Sequence, residues 1–564
     1  MQKKFVFLMS AASAMLLASC SGKLGALSAD NFTVNPNPLE TQTGKVPATI
    51  SATFPQKYMA KKAVVTVTPE LRYTANGTTQ VAKGQSATFQ GEKVDGNGQQ
   101  VNYQVGGNYT MKTSFDYVPE MQKSELYLTF DAKVGGKSVN VPEVKVADGV
   151  IATGELYKAT LGNTTASLAT NAYERIIPKN MEAQVKFLIQ QYQLRKSELK
   201  NNSVSEFVRL LKEINENQHG YNLKNVEVVA AASPDGGFKL NDKLAAQRQN
   251  VAEKYVKEQM KSIKLDAPVD AKYTAQDWEG FQELVKASNI QDKDVILRVL
   301  SMYKDPEERE AQIKNISSAF KELAEGILPE LRRARMIINY EVVGRTDQEI
   351  FDQYSADPTK LSLEELLYAA SKKTNNNDKE AILQTAARLY PNDARAFNNI
   401  GSIEFEKGNY DQAKNYLQQA LAKNADANTR AAINSNLGLI SLLSGDTQGA
   451  QNLIAKGSAA DGSKEALGNL HLAQGNYAQA VKDFQGVYSN SAALAQIMNK
   501  DYQAAANTLK NIKNPDSTTD YLKALVNARL GNASAAANAL QQAQKDAKWA
   551  QYGNNDLELQ NVAK

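Results

Sequence analysis

The sequence predicts a multidomain chain: an N-terminal β-sandwich, a central mixed α/β domain and a C-terminal all-α repeat array. Three observations predict it. Apolar residues alternate with period two from about 29 to 155, the pattern then changes to a β-α-β-α-β order up to about 345, and from about Pro358 helical motifs recur at a spacing near 34 residues. The length of 564 residues agrees, since ~150 residues per domain implies three or four compact units.

Composition narrows the function. An apolar fraction of 42% with 22% charged residues belongs to a folded globular chain. A net charge of +4 over this length does not argue for nucleic acid. One cysteine and two histidines exclude an intramolecular disulfide and argue against a Cys/His zinc site, so no metal or cofactor is expected. His219 lies in the polar stretch Asn217–Gly220 and His471 inside a repeat helix, and neither accompanies a nucleophile motif. The chain reads as a non-enzyme.

Residues 1–19 form a signal peptide. Met1-Gln2-Lys3-Lys4 precedes an apolar run from Phe5 to Leu17, too short to span a bilayer as a helix. The run closes on Leu17-Ala18-Ser19-Cys20, which resembles the bacterial lipobox. The resemblance implies that Cys20 is lipidated, and more than one acyl chain gives stable membrane attachment. Ser21 after it resembles the outer-membrane sorting choice. The expected location is therefore the outer membrane, with the body facing the periplasm.

Across residues 20–155, Ala48, Ile50, Ala52 and Phe54 alternate with Thr49, Ser51 and Thr53, and Leu126, Leu128, Phe130 and Ala132 repeat the pattern. Asn76-Gly77, Asp95-Gly96-Asn97-Gly98, Gly106-Gly107 and Gly135-Gly136 provide turn chemistry between the strands. Within 156–345, strands are expected around Val185–Ile189, Val226–Ala232 and Met336–Val342. A helix capped by Ser203-Val204-Ser205-Glu206 carries Phe207, Leu210, Leu211 and Ile214, and a second starts near Asn241. The stretch of about 270–325, with Trp278, Phe281, Leu284, Val295, Leu297 and Leu300, reads as a helical insertion.

Three pieces of this domain, in order, resemble the OmpA-like peptidoglycan-binding domain: Ser233-Pro234-Asp235-Gly236, then Asn241-Asp242-Lys243-Leu244-Ala245-Ala246-Gln247-Arg248, then Leu331-Arg332-Arg333 before the last strand. Ala245 stands where the family has serine, Gln249 where it has alanine, and the loop between acid and asparagine is shorter. The resemblance implies binding of the peptidoglycan stem peptide through diaminopimelate. Asp235 would accept from its ammonium, Arg248 would donate a planar fork to its carboxylate, and Asn241 would mark a helix start that favours an anion. Such a site implies that Arg248→Ala releases peptidoglycan without lowering thermal stability.

Residues 346–564 resemble tetratricopeptide (TPR) repeats. Phe397, Ile400-Gly401, Gly408-Asn409-Tyr410, Ala413 and Leu417 return as Leu437-Gly438, Gly445-Asp446, Ala450 and Ile454, and again as Leu467-Gly468, Gly475-Asn476-Tyr477, Ala480 and Phe484. The resemblance implies a solenoid whose concave surface takes an unknown protein, with Asn398 as a groove-lining residue. Residues after Tyr552 read as a polar end cap or loose tail. Two functions are consistent with the whole. One is a lipoprotein that binds peptidoglycan and recruits a partner; the other is an adaptor or assembly factor of an envelope or secretion complex with a degenerate OmpA-like domain.

Overall fold

The computed structural model describes residues 24–560, apart from 291, 316–320 and 461–462. The signal peptide and Cys20 lie outside the described residues. The chain divides into two compact units, one built from residues up to Thr170 together with Ala370–Lys564, the other from Asn171–Ala369. This division departs from the borders expected at 155 and 345. Residues 156–170 pack with the first unit, and 346–369 with the second.

The first unit begins with two sheets around one core. One is three-stranded, with β1 (Phe32–Asn35) and β8 (Gly107–Asp116) flanking β3 (Lys45–Phe54). The other has β4 (Ala63–Ala75) and β9 (Ser124–Val134) at its centre. It is extended by β5 (Thr78–Lys83), β6 (Ala87–Gly91), β7 (Gln99–Val101), β10 (Lys137–Val139) and β11 (Val144–Asp148). A short parallel pair joins β2 (Leu39–Glu40) to β12 (Val150–Ile151). Alternation sends Val46, Ala48, Ile50, Ala52 and Phe54 inward from β3, and Val65, Val67 and Leu71 inward from β4. Asn76 and Gly77 both take positive φ, as a two-residue hairpin between β4 and β5 requires. The Asp95–Gly98 stretch makes no hairpin, because β6 and β7 are parallel. There the Gln90 amide donates to the Val94 and Gly96 carbonyls and accepts from the Gly98 N–H.

A segment without strands, residues 152–170, follows; it contains a 3-10 turn, Thr153–Leu156, that runs into one α-helical turn, α1 (Tyr157–Leu161). The second unit is a four-stranded sheet. β13 (Ile176–Lys186) and β14 (Tyr221–Ala231) lie antiparallel on either side of β16 (Arg333–Val343), and β15 (Val269–Thr274) joins β14 in parallel. The start of the expected helical insertion is thus the edge strand β15, too short and too exposed for its alternation to stand out. Val185, Ala334 and Ala230 share one row of the sheet, and Ala183, Met336 and Val228 the next. They pack with Val204, Phe207, Leu211 and Ile214 of α2 (Asn202–Glu216) and Ala252, Val256 and Met260 of α3 (Phe238–Ser262). Each such large side chain buried contributes about 1.5–3 kcal/mol. The cap of α2 is Asn201, two residues earlier than expected. Its side-chain Oδ1 accepts from the Val204 N–H at 2.8 Å while its side-chain NH2 donates to the Gln184 carbonyl and ties the helix to the strand.

The rest of the insertion, helices Trp278–Ala287, Lys293–Met302 and Pro306–Asn315 with the turns Leu323–Leu331, has its own core of Phe281, Val285, Ile296, Leu300, Leu323, Ile327, Leu328 and Leu331. Val295, expected among the packing residues, is instead 48% exposed, because Ile296 takes the inward position.

Five antiparallel helix pairs then stack from Ala394 to Ala543. Asp393, Asp426, Asp446, Asp501 and Asp516 each cap a helix through a side-chain oxygen. Within each pair a small residue faces a large one sixteen positions later: Gly401 and Leu417, Gly438 and Ile454, Gly468 and Phe484. Ala493 with Leu509 and Ala524 with Leu540 repeat the spacing, and all four are buried. A Cβ added at Gly468 would stand 2.6 Å from the Phe484 ring, so this pair packs only with glycine. Residues 553–560 are not a loose tail. Leu559 and Asp556 are buried, and Tyr521 donates to Asp556 at 2.5 Å beneath the stacked Trp549 ring.

Gly468→Ala should lower unfolding stability by about 1–3 kcal/mol. Adding Phe484→Leu, which recreates the alanine–leucine pairing of the later repeats, should recover more than half of the loss. Urea melts of the single and double variants decide; no recovery would mean that the two positions are not coupled.

Candidate functional site

Asp235, Asn241 and Arg248 all belong to the end of the second unit's sheet where β14 passes through the loop 232–237 into α3. Asn241 does not start the helix. It lies one turn inside, buried, and its amide donates to the Ser233 carbonyl at 2.9 Å and the Gly236 carbonyl at 2.8 Å. Gln276 adds a bond to the same Gly236 carbonyl at 2.8 Å. Asn241 therefore shapes the loop, and the helix begins after Gly237.

Arg248 is 1% exposed. Its Nε donates to the Gln191 carbonyl at 3.0 Å, Nη1 to Ala231 at 2.9 Å and Nη2 to Leu188 at 3.4 Å, and the guanidinium lies 5.1 Å from the Phe187 ring centre. Burial, then repulsion from Arg332, pulls its pKa down to about 10 against the opposing field of Asp235, which leaves it charged at neutral pH. The fork expected to face a ligand carboxylate instead satisfies carbonyls of the loop that follows β13.

Asp235 is paired as well. Arg332 Nη2 donates to it at 3.1 Å, Ser233 Oγ donates to its other oxygen, and Arg332 Nε reaches Ser233 Oγ at 3.3 Å. The Arg332 and Asp235 side chains are only 12% and 19% exposed. Above them Pro234, Trp278, Phe281, Glu310, Leu323 and Leu328 line a half-open cleft of about 20 Å³, room for one water. The inserted helices thus roof the acid on this side. Arg332 stands in a stretch already legible in the sequence. Its pairing with a residue 97 positions away is a tertiary fact.

The concave side of the repeats, where Asn398 was expected to meet a partner, is already filled. Residues 153–170 of the same chain run along it as a strap, passing every inner helix. Thr153 bonds Arg529 and Glu558, Thr160 bonds Ser491 at 3.1 Å, and Asn163 donates to Asp516. Asn469 donates to Thr164 Oγ1 at 3.1 Å. Asn398, fully buried, donates to the Ser167 carbonyl at 3.1 Å, which also accepts from Ser402 at 2.9 Å and Asn436 at 2.8 Å. Asn436 in turn accepts from the Ser167 N–H at 2.7 Å. Asn399 accepts from the Ala169 N–H at 2.8 Å and donates to the Ala169 carbonyl at 2.9 Å. Two asparagine amides therefore grip alternate residues of an extended main chain as a neighbouring strand does. The sequence carried one signal of this, since Asn399 and Asn436 each stand two positions before the interface glycines Gly401 and Gly438.

Under the strap lies Glu465, whose Oε2 is buried with no partner. Burial pushes its pKa up to about 7, with Thr165 opposing and Glu406 adding repulsion. Asn376 and Lys379 oppose the rise that burial imposes on Glu406. Among the described residues no cluster of metal-ligating side chains occurs, and no helix is long and apolar enough to cross a membrane.

No family model matches this sequence, and no curated protein matches it. Solved structures similar to it include a tetratricopeptide repeat protein from Parabacteroides merdae, at 12% identity, covering 44% of this chain and 98% of that one with a TM-score of 0.28. Pseudomonas aeruginosa PilF matches at 13% identity over 37% of this chain and 98% of its own, TM-score 0.25. Yeast Tom70 matches at 10% identity over 62% and 80%, TM-score 0.24. The repeat architecture described above rests on the helix pairs themselves.

Two outcomes follow from this geometry. Arg248→Ala should destabilise the protein by about 2–4 kcal/mol, because three carbonyls lose their donor, in contrast to the neutral effect expected of an open site. A glutamate whose pKa is raised in the folded state stabilises it fully below its ordinary value near 4.5, and that contribution is lost as pH rises through about 7. Glu465→Gln should therefore gain stability over the unmodified chain from pH 5 to pH 8, reaching on the order of 2 kcal/mol. Parallel pH profiles of the melting temperature would show no protonation linkage at Glu465.

Proposed function

We propose that this chain is a non-enzymatic scaffold of the bacterial envelope, tethered to the outer membrane through a lipid on Cys20 and facing the periplasm, whose helical repeats bind a protein partner. One observation carries the reading: the repeat array holds an extended segment by its main chain, through Asn398, Asn399, Asn436 and Ser402. Side-chain amides lining a groove are a binding device for peptides, and here the device is assembled and satisfied. The α/β domain enters this reading as an OmpA-like fold with its ligand site closed, as in an adaptor or assembly factor. Its acid is neutralised by Arg332 and its arginine by backbone carbonyls.

A second reading, peptidoglycan binding through diaminopimelate, is favoured by one observation. Asp235, Arg248 and Arg332 remain near enough to act on one another electrostatically at the same end of the sheet. Binding would then require the roof formed by Trp278, Phe281 and Leu328 to lift and Arg332 to release Asp235. In that case Arg332 is the latch, and its loss should strengthen binding.

Fractionation of cells tests the tether: Cys20→Ser should move the protein from the membrane pellet to the soluble fraction. Sedimentation with diaminopimelate-containing peptidoglycan separates the two readings. The scaffold reading expects neither the unmodified protein nor Arg332→Ala to pellet. Sedimentation of Arg332→Ala, lost again in Asp235→Ala/Arg332→Ala, would replace it with the latched-site reading.

A further inference from the structure

The strap has two halves of different physical character. From Thr153 to Leu161 it is plugged in: Leu156 and Leu161 are buried in the cores of the repeats, and Tyr157 and Ala159 pack against them. The Tyr552 hydroxyl holds the Ala152 carbonyl at 3.1 Å. From Asn163 to Thr170 it forms neither helix nor strand, and its largest apolar side chain, Leu168, is 52% exposed. Apart from Ala166, which enters a repeat core, what holds this second half is polar: Asn469 on Thr164, Asn436 and Asn398 on Ser167, and Asn399 on Ala169. At Ser167 and Ala169 the bonds go to the main chain, so they specify an extended backbone with small side chains and no particular sequence. Ala166, Ser167 and Ala169, all buried, show why the side chains must be small.

A segment held by exchangeable hydrogen bonds, next to one held by buried leucines, opens first, since water replaces the bonds but not the packing. We propose that Asn163–Thr170 is a resident pseudo-ligand. It closes the groove formed by the helices Ala394–Glu406, Ala427–Leu443 and Ser463–Ala473 to an extended Ala/Ser/Thr-rich segment of a protein partner, which enters when Asn163–Thr170 peels away while Leu156 and Leu161 stay in place. The inference deepens the scaffold reading and rests on its partner-binding repeats. The partner's affinity is then lowered by the fraction of time that the groove is closed.

The test uses the full-length chain and a fluorescent synthetic peptide with the sequence of residues 162–171. Ser167→Pro and Ala169→Pro each delete an N–H that an asparagine accepts, and proline suits the extended backbone around it. Either variant should bind the peptide at least tenfold more tightly than the unmodified chain, and adding Asn399→Ala and Asn436→Ala should abolish the gain. Hydrogen exchange on the unmodified protein gives a readout that needs no variant: amides of 163–170 should exchange at least tenfold faster than those of 156–161. Equal exchange in the two halves, or a proline variant that folds and gains no peptide affinity, overturns the proposal and makes the strap a permanent brace. A partner search that fails while the peptide results hold removes the partner and leaves the pseudo-ligand. Peptide results that fail while a partner binds leave the scaffold reading intact.

Discussion

The first unit depends on a requirement of buried backbone: the N–H and C=O groups of a chain removed from water must find partners. The second half of the strap, without secondary structure, has none of its own at Ser167 or Ala169, and the repeats supply them from Asn398, Asn399, Ser402 and Asn436. Because those groups lie on the inner helices, the strap's passage and the repeats' stacking are one arrangement. Leu156 and Leu161 complete hydrophobic cores that belong to the helix pairs, so residues 152–170 are structurally part of an array that begins more than two hundred positions later.

The same requirement accounts for the α/β unit. Its loop after β13 exposes the carbonyls of Leu188 and Gln191 at the sheet's end, and Arg248 satisfies them together with Ala231. A guanidinium used in this way is a structural cross-link between loop, strand and helix. Asp235, left without it, is neutralised by Arg332 and roofed by the inserted helices. Buried charges are retained only with partners, and the unit has found them internally. A ligand must now compete with those partners before it gains anything from the site.

Much of the architecture was legible. Period-two alternation located β3 and β9, and Asn76-Gly77 marked its hairpin correctly, since positive φ at both positions is cheap only for such residues. The recurrent glycines and alanines of the repeats fell at the helix–helix contacts because close packing tolerates nothing larger there. The order of elements along the α/β domain was legible except for β15, whose six residues are mostly exposed and carry little apolar signal. The candidate site was legible as a set of residues and not as an arrangement. Asp235, Asn241 and Arg248 do lie at one end of the sheet, but their side chains point to partners that sequence spacing does not encode.

The sequence by itself determined what repeats locally: strand alternation, helical faces, caps, turns and the pairing of small with large residues across each helix hairpin. These follow from geometry within a few residues, so the amino acids announce them. Only the tertiary structure decided where Arg248 donates, which cation neutralises Asp235 and what occupies the groove beside Asn398. Each of those is the meeting of a polar group with a backbone or charge 17 to 231 positions away, and burial, not local propensity, selects the partner.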